Sequence, residues 1–190
     1  MSKKVLIIGK NSSIAKEFIK KISKTNLVAP DKKKWNMLDS DFKKSQIKEI
    51  INADKILLLQ STISSKDFLK RHHKDIVNQF TINFLSVVKI CEIALNNNKD
   101  VRIIILGSES GVKGSFDIVY GLMKSAIHKY VEERRIKFPK QQLVCVAPST
   151  IIDANMTLNR KDKHNVKSSI LKNPKKRGLK SSEIANLLYD

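Results

Sequence analysis

The chain has no apolar run near the ~20 residues that a membrane-spanning helix needs. The apolar run behind its first lysines, at about five residues, is also too short for the core of a signal peptide. Cysteine is scarce: Cys91 and Cys145 both lie in apolar segments and lack the spacing of metal ligands. We therefore expect buried free thiols, no metal site and no membrane association, in a cytoplasmic protein.

Acidic residues are few: 37 Lys and Arg stand against 18 Asp and Glu in 190 residues, a formal net charge of +19. Such a charge can attract nucleic acid or an acidic membrane surface. The lysines are spread over the whole chain, however, with no interleaved aromatic stripe and no helix-turn-helix or zinc-finger pattern. We interpret them as a solvated surface, which disfavours nucleic acid as a partner. A weaker functional interpretation is a field that attracts an anionic substrate or cofactor.

Short apolar runs alternate with segments of helical periodicity. "KVLIIG" (4–9) is a continuous apolar run ending at glycine, as in a strand buried on both faces of a parallel sheet. Further strands are predicted within 25–30, 54–61, 101–111 and 141–150, and helices within 12–23, 39–52, 66–98, 117–138 and 181–189. This alternation predicts an α/β sandwich with a mainly parallel sheet, in a single domain spanning 1–190.

Small and polar residues follow the predicted strands, at the edge where parallel sheets bind ligands. They are Gly9–Ser13, Asp31–Lys32, Gln60–Thr62, Ser108–Gly111 and Pro148–Thr150. The turn "GKNSSIA" (9–15) exposes backbone N–H groups where a helix starts, which suits a pyrophosphate. Because the full three-glycine fingerprint is absent, an ordinary strand–helix turn stays open as the alternative.

Tyr120 and Lys124 lie one helical turn apart, and Ser108 precedes them in a loop after a predicted strand. A nearby ammonium stabilises a phenolate and so lowers the tyrosine pKa, which suits the protonation of an alkoxide during hydride transfer. The alternatives are a solvated i,i+4 pair and a Ser/Gly loop without a role.

The order of the Gly9 turn, Asn83 in "TINFLSVV", Ser108, "YGLMK" (120–124) and "VAPST" (146–150) resembles the short-chain dehydrogenase/reductase family over nearly the whole chain. The resemblance implies a three-layer, doubly wound Rossmann-like fold. It also implies an NAD(P)-dependent oxidoreductase that reduces a carbonyl or oxidises an alcohol, with the cofactor carrying the hydride.

The resemblance assigns roles to four residues. Tyr120 would be the general acid/base, and Lys124 would hold the nicotinamide ribose and lower the Tyr120 pKa. Ser108 would hydrogen-bond the reacting oxygen, and Asn83 would stabilise a helix kink and a relay water. The implied cofactor-binding residues are Gly9, Lys10, Asn11, Ser12, Ser13, Ile14, Asp31, Lys32, Asp39, Gln60, Ser61, Thr62, Lys124, Pro148, Ser149, Thr150 and Ile151.

The choice between NAD and NADP depends on the segment after the second strand. Asp31 suits the adenosine ribose of NAD, whereas Lys32 suits the 2′-phosphate of NADP. "VAPDKKKWNMLDSDF" (28–42) is similar to dTDP-4-dehydrorhamnose reductases and GDP-fucose synthases, in which a basic residue meets that phosphate. The similarity favours NADP over NAD, places Asp39 near the adenine, and suggests a nucleotide-sugar substrate.

The chain departs from the family pattern in several places. Ser13 and Ala15 replace two glycines, "LLLQST" (57–62) replaces Asn-Asn-Ala-Gly, and the chain stops before a final strand, being either naturally short or truncated. Two alternatives therefore stay open: a nucleotide-sugar epimerase or dehydratase of the same family, and a non-catalytic dinucleotide-binding protein.

Residues 153–180 are expected to form the substrate loop. The family resemblance implies a homodimer or homotetramer, assembled through the apolar faces of 81–95 and 118–132.

Overall fold

A parallel sheet forms the centre of the molecule in the computed structural model, which describes residues 3–22, 26–39 and 41–189. Its strands are β1 (Val5–Ile8), β2 (Leu27–Val28), β3 (Lys55–Leu58), β4 (Arg102–Leu106) and β5 (Gln142–Val146). They lie in the order β2-β1-β3-β4-β5, and all neighbours are parallel. Strand order reverses between β1 and β3, which opens a crevice at their carboxyl ends. The predicted parallel α/β fold is confirmed.

Helices connect the strands. They are α1 (Ser13–Ile19), α2 (Lys44–Ile51), α3 (His73–Phe80), α4 (Ser86–Asn97), α5 (Ser110–Lys113), α6 (Ile118–Glu133), α7 (Asn155–Leu158), α8 (Lys163–Lys172) and α9 (Ser181–Tyr189). A 3-10 turn (Phe68–Lys70) precedes α3, and a π-helical turn (Thr81–Leu85) joins α3 to α4. Residues 153–180, expected to form the substrate loop, thus contain the helices α7 and α8.

The helix predicted over 117–138 ends early, at Glu133. Arg134 leaves the helical conformation, and its Nε lies 2.6 Å from Oε1 of Glu92 on α4. The helix predicted over 39–52 begins late, at Lys44, because the chain before it forms turns: Asn36 donates its side-chain amide to the Asp39 carboxylate at 2.9 Å.

Two apolar layers pack on opposite faces of the sheet. Leu6 and Ile8 of β1 face a cluster that contains Ile50 of α2, Ile90 of α4 and Ile127 of α6. The alternate residue Ile7 faces the opposite cluster, which contains residues of α1 and α9 such as Phe18 and Leu188. Alternation along a strand buried on both faces therefore produces the predicted three-layer, doubly wound arrangement.

The continuous helical stretch His73–Asn97 is long and apolar enough, by length and composition, to cross a membrane. Its α4 part packs Val87, Ile90 and Leu95 into the core beside the sheet. This packing is that of a core helix. Cys91 on α4 is a buried free thiol, whereas Cys145 on β5 is a free thiol that is only partly buried.

Candidate active site

A cleft of about 950 Å³ opens at the carboxyl edge of the sheet, a volume at the upper end of small-molecule sites. Loops after all five strands line it. The lining includes every cofactor-binding residue expected from sequence except Asp39, and the catalytic candidates Ser108, Tyr120 and Lys124, but not Asn83. The fold therefore brings together residues that are far apart in sequence.

Gly9 makes the turn after β1 and has a positive φ of 91°. A Cβ at this position would lie 2.6 Å from the backbone N of Gln60 and 2.8 Å from the carbonyl carbon of Leu59. Ser12 then caps α1, accepting a hydrogen bond from the backbone N–H of Ala15 at 3.1 Å. Glycine is thus required both for the left-handed backbone and for the close approach of the β1 and β3 loops.

The Gln60 side chain lines the cleft with an amide that has no internal partner. Both Oε1 and Nε2 are buried and make no hydrogen bond among the described residues. A buried, unpaired polar group costs about 1–3 kcal/mol, so a bound ligand with matching groups would recover that cost.

Tyr120 lies in the first turn of α6, which Asp117 caps by accepting hydrogen bonds from the N–H groups of Val119 and Tyr120. The hydroxyls of Ser108 and Ser61 lie beside the Tyr120 hydroxyl and act on its pKa. Burial raises that pKa, and Ser108, Ser61 and Arg160 oppose the rise only in part. Tyr120 is therefore a protonated phenol at neutral pH.

Lys124 lies one turn further along α6 and is buried. Its Nζ is 5.6 Å from the Tyr120 ring centroid and donates a hydrogen bond to the Leu106 carbonyl at 2.6 Å. Burial lowers the pKa of Lys124 to about 8. The sequence analysis predicts that Lys124 lowers the Tyr120 pKa. In the structure that pKa is raised, because burial dominates and the ammonium points to a backbone carbonyl.

Asn83 lies in the π-helical turn, buried behind the cleft wall. Its Oδ1 accepts from the Thr62 N–H at 2.8 Å and from the Ser61 hydroxyl at 3.2 Å, and its Nδ2 donates to the Thr62 carbonyl at 2.8 Å. Asn83 therefore holds the loop after β3 against the helix, and through Ser61 it supports the Tyr120 hydroxyl.

One end of the cleft is formed by the segment after β2. Asp31 accepts from the Lys34 N–H at 2.9 Å, and its Oδ2 is 3.9 Å from Lys10 Nζ. The Lys34 hydrogen bond is the main cause of the lowered pKa of Asp31. Lys32 lines the cleft beside it. Asp39, which was expected near the adenine, does not line the cleft, but its carboxylate accepts a hydrogen bond from Asn36, which does.

Three residues at this end were missed from the sequence: Trp35, Asn36 and Met37 line the cleft. The available signal was the single tryptophan of the chain, which directly follows three lysines and yet is buried in the structure.

The opposite end contains part of the segment 153–180, which was expected to form the substrate loop, although no single residue of it was singled out. Its lining residues are Lys113, Phe116, Asn155, Met156, Thr157, Arg160, Asn165, Ser168, Ser169 and Lys172. Hydrogen bonds tie this wall to the loop after β5: Thr150 pairs with Ser169 through their hydroxyls at 2.7 Å, and Asn173 donates to Ser149 Oγ at 2.6 Å. Lys113 and Phe116 lie outside the segment 153–180, and the sequence analysis assigned them no role.

A buried ion pair supports the start of α6. Arg71 Nη1 lies 3.1 Å from Asp117 Oδ1, and both side chains are almost completely shielded from solvent. Gln79 Nε2 donates to Asp117 Oδ2 at 2.7 Å, and Gln79 Oε1 accepts from Arg71. The Ser64 N–H also donates to Asp117, at 2.8 Å. This network fixes the helix that carries Tyr120.

Strand order and the position of the cleft define a doubly wound α/β fold of the nucleotide-binding type. Among solved structures, this is the fold of the short-chain dehydrogenases/reductases. A Brucella melitensis member described as a glucose/ribitol dehydrogenase matches with a TM-score of 0.80 at 19% identity, over 98% of this chain and 87% of that one. The fold expected from the sequence resemblance is therefore confirmed.

Two further structures of this fold hold a cofactor. An Agrobacterium tumefaciens 3-oxoacyl (acyl-carrier-protein) reductase with NADP bound matches with a TM-score of 0.76 at 15% identity, over 98% of this chain and 86% of that one. A blue fluorescent protein from a metagenomic library, in complex with NADPH, matches with a TM-score of 0.74 at 15% identity, over 97% and 88%. No family model and no curated protein matches the chain.

Proposed function

We propose that the chain is a short-chain dehydrogenase/reductase that reduces a carbonyl or oxidises an alcohol with NAD(P). The observation that carries this proposal is the buried Tyr120, which lines the same cleft as Ser108, Ser61 and the Gly9 turn. Lys124 is buried beside it. An acid, a hydroxyl partner and an ammonium in one concave site are the parts that carbonyl reduction needs.

The residues of the cleft fit a dinucleotide. Gly9 keeps the β1 turn free of a side chain, and the unpaired Gln60 amide offers one donor and one acceptor. These residues, with the loop after β5, would hold the cofactor. When bound, the cofactor carries the hydride.

Side chains of the protein would supply the proton to the substrate oxygen. In the reductive direction, the protonated Tyr120 hydroxyl donates to the substrate oxygen, because its raised pKa keeps it in the acid form. Ser108 hydrogen-bonds the same oxygen. Ser61, whose hydroxyl donates to Asn83, helps to hold the cleft wall beside the Tyr120 oxygen. The Lys124 ammonium, 5.6 Å from the Tyr120 ring centroid, makes a cation–π contact with that ring.

NADP is the favoured cofactor. Lys10 and Lys32 both line the end of the cleft after β2, where Asp31 is their acidic neighbour. An excess of positive charge there suits a 2′-phosphate. The NADP and NADPH complexes among structures of the same fold add support.

The partners that we propose are a small carbonyl or alcohol substrate, with a nucleotide sugar as one candidate, and a second copy of the chain in a cytoplasmic homodimer or homotetramer. Leu85, at the end of the π-helical turn, and Leu122 on α6 are exposed apolar residues on the two faces suggested for assembly.

Titration with NADPH and NADH tests the proposal, with Trp35 fluorescence and calorimetry as readouts, since Trp35 lines the cleft. Saturable binding is expected, tighter for NADPH. Absence of saturable binding of either at about millimolar concentration would remove the proposal. Binding without turnover, in a screen of carbonyl compounds and nucleotide sugars, would favour the non-catalytic dinucleotide-binding alternative. Cofactor released only on denaturation would favour the epimerase or dehydratase alternative.

A further inference from the structure

Arg160 places a guanidinium over an aromatic ring in the wall of the cleft. Its Cζ lies 4.1 Å from the ring centroid of Phe116, and both residues line the cleft. The Arg160 side chain is only 15% exposed. A cation stacked on a ring in a partly desolvated site is held in place and is less hydrated than one on an open surface.

Asp162 forms a two-point ion pair with the guanidinium. Arg160 Nε donates to Asp162 Oδ1 at 2.9 Å, and Nη2 donates to Oδ2. Asp162 does not line the cleft, whereas Arg160 does, so the cation is nearer to the cavity than its counterion. Within the described part of the chain, Nη1 of Arg160 makes no hydrogen bond. The Nε and Nη2 edge of the Arg160 guanidinium is thus occupied by the Asp162 carboxylate. The Nη1 group is left to bind a second anion.

The guanidinium also acts on the catalytic candidate. Phe116, on which Arg160 stacks, is four residues before Tyr120, and all three residues line the cleft. The charge of Arg160 also opposes the rise that burial causes in the pKa of Tyr120. A group bound to Arg160 would therefore lie in the same cleft as the oxygen that Tyr120 protonates.

Among the described residues, the other charged side chains at this end of the cleft are an unpaired lysine and a lysine–glutamate ion pair. Lys172 of α8 lines the cleft and makes no ion pair with a described residue. Lys113 is paired with Glu109. The remaining polar lining residues of α8, Asn165, Ser168 and Ser169, are uncharged. The wall that faces a substrate therefore presents unpaired positive charge.

We infer that Arg160 is a specificity-determining residue, and that the substrate carries a carboxylate or phosphate a few atoms from its reacting carbonyl. This inference rests on the proposed oxidoreductase function of the same cleft. Charge-assisted hydrogen bonds of this kind correspond to about a 10- to 100-fold preference for the charged ligand over its neutral analogue.

The test uses matched probes that differ in charge next to a ketone: acetoacetate against methyl acetoacetate, and dihydroxyacetone phosphate against dihydroxyacetone. Dissociation constants are measured by calorimetry at about 0.15 M salt, which screens the general positive field, both with and without saturating NADP⁺. The variants are Arg160→Gln, Arg160→Lys and the matched control Arg102→Gln. Arg102 is exposed at the start of β4, at the opposite edge of the sheet.

The expected result is at least one charged probe that binds about 10-fold or more tightly than its neutral partner. Arg160→Gln should abolish that preference, Arg160→Lys should keep part of it, and Arg102→Gln should keep all of it. The probe that shows the larger preference identifies carboxylate or phosphate. Circular dichroism of each variant establishes that the fold is retained.

Three results would overturn the inference: equal binding of charged and neutral probes, no binding of a charged probe up to about 10 mM, or the same loss in both glutamine variants. A fourth would reassign Arg160 to the cofactor, namely an equal loss of NADPH affinity in Arg160→Gln. Failure of NADPH to bind wild-type protein would instead remove the proposed function. The titrations without NADP⁺ would still decide whether Arg160 binds anions.

Discussion

The Lys124 ammonium donates a hydrogen bond to the backbone carbonyl of Leu106, with 2.6 Å between the nitrogen and the oxygen. Leu106 is the last residue of β4, directly before the loop that carries Ser108. This contact ties the helix of the Tyr120–Lys124 pair to the strand whose loop supplies the partner hydroxyl. It also buries a cation, and that burial has a measurable consequence.

Lys124 should make stability depend on pH. Its pKa is lowered to about 8 in the folded protein, from 10.5 in a free lysine. Between these values the unfolded chain binds more protons, so the free energy of unfolding should rise with pH from about 8 to about 10. The shift corresponds to at most about 3 kcal/mol. Above this range the raised pKa of Tyr120 acts in the opposite direction.

Urea unfolding at about pH 7.5 and about pH 9.5 measures the effect. In Lys124→Met the rise should be smaller than in wild type by the contribution of this one group. Parallel pH dependence in the two proteins would contradict the burial of a titrating ammonium.

Tyr120→Phe should lower turnover by about 10²- to 10⁴-fold, the usual contribution of a positioned acid. The ring keeps its packing and its contact with Lys124, so unfolding and NADPH affinity should change little. Steady-state kinetics and calorimetry measure the two effects, on a substrate found by the carbonyl screen. Turnover at the wild-type rate would exclude Tyr120 as the proton donor.

Gly9→Ala should destabilise the fold and weaken cofactor binding, because the new Cβ would lie 2.6 Å from the Gln60 nitrogen. Gly114→Ala is a matched control, since Gly114 also has a positive φ, of 83°, but no atom within 4 Å of the added carbon. The control should lose only about 1–2 kcal/mol of stability for its backbone conformation. Equal losses in unfolding free energy would show that the close approach at Gly9 is relaxed without cost.

Lys32→Ala should weaken NADPH more than NADH, because the ammonium lines the cleft where a 2′-phosphate would lie. Lys33→Ala is the control: Lys33 is equally exposed but lies outside the lining. Dissociation constants for both cofactors give the ratio directly. A Lys32 variant that loses both cofactors equally would remove the argument for NADP.

Asp117→Ala should lower the free energy of unfolding by about 3–5 kcal/mol, because it leaves the Arg71 guanidinium buried without its carboxylate. Asp117→Asn keeps an oxygen that can accept from the N–H groups at the start of α6, so it should lose less. Denaturant unfolding ranks the two variants. Similar stability of wild type and Asp117→Ala would show that the ion pair contributes no net stabilisation.

Much of the fold was predictable from local pattern. Apolar runs such as "KVLIIG" (4–9) are strands because they are buried on both faces, and the Ser12 cap and the α9 segment are local signals as well. Gly9, Ser108, Tyr120 and Lys124 could be singled out because each lies at or just after the carboxyl end of a predicted strand, or on the helix that follows.

What the sequence determined by itself is therefore the alternation of strands and helices and the residues at the strand ends. Tertiary structure alone decided the pairing of Arg71 with Asp117, the stacking of Arg160 on Phe116, and the exclusion of Asp39 and Asn83 from the cleft. Tertiary structure also decided the pKa direction of Tyr120. The physical reason is that periodicity reports which face of an element is apolar. Burial of a charge and the partner that it meets depend on chain segments distant in sequence.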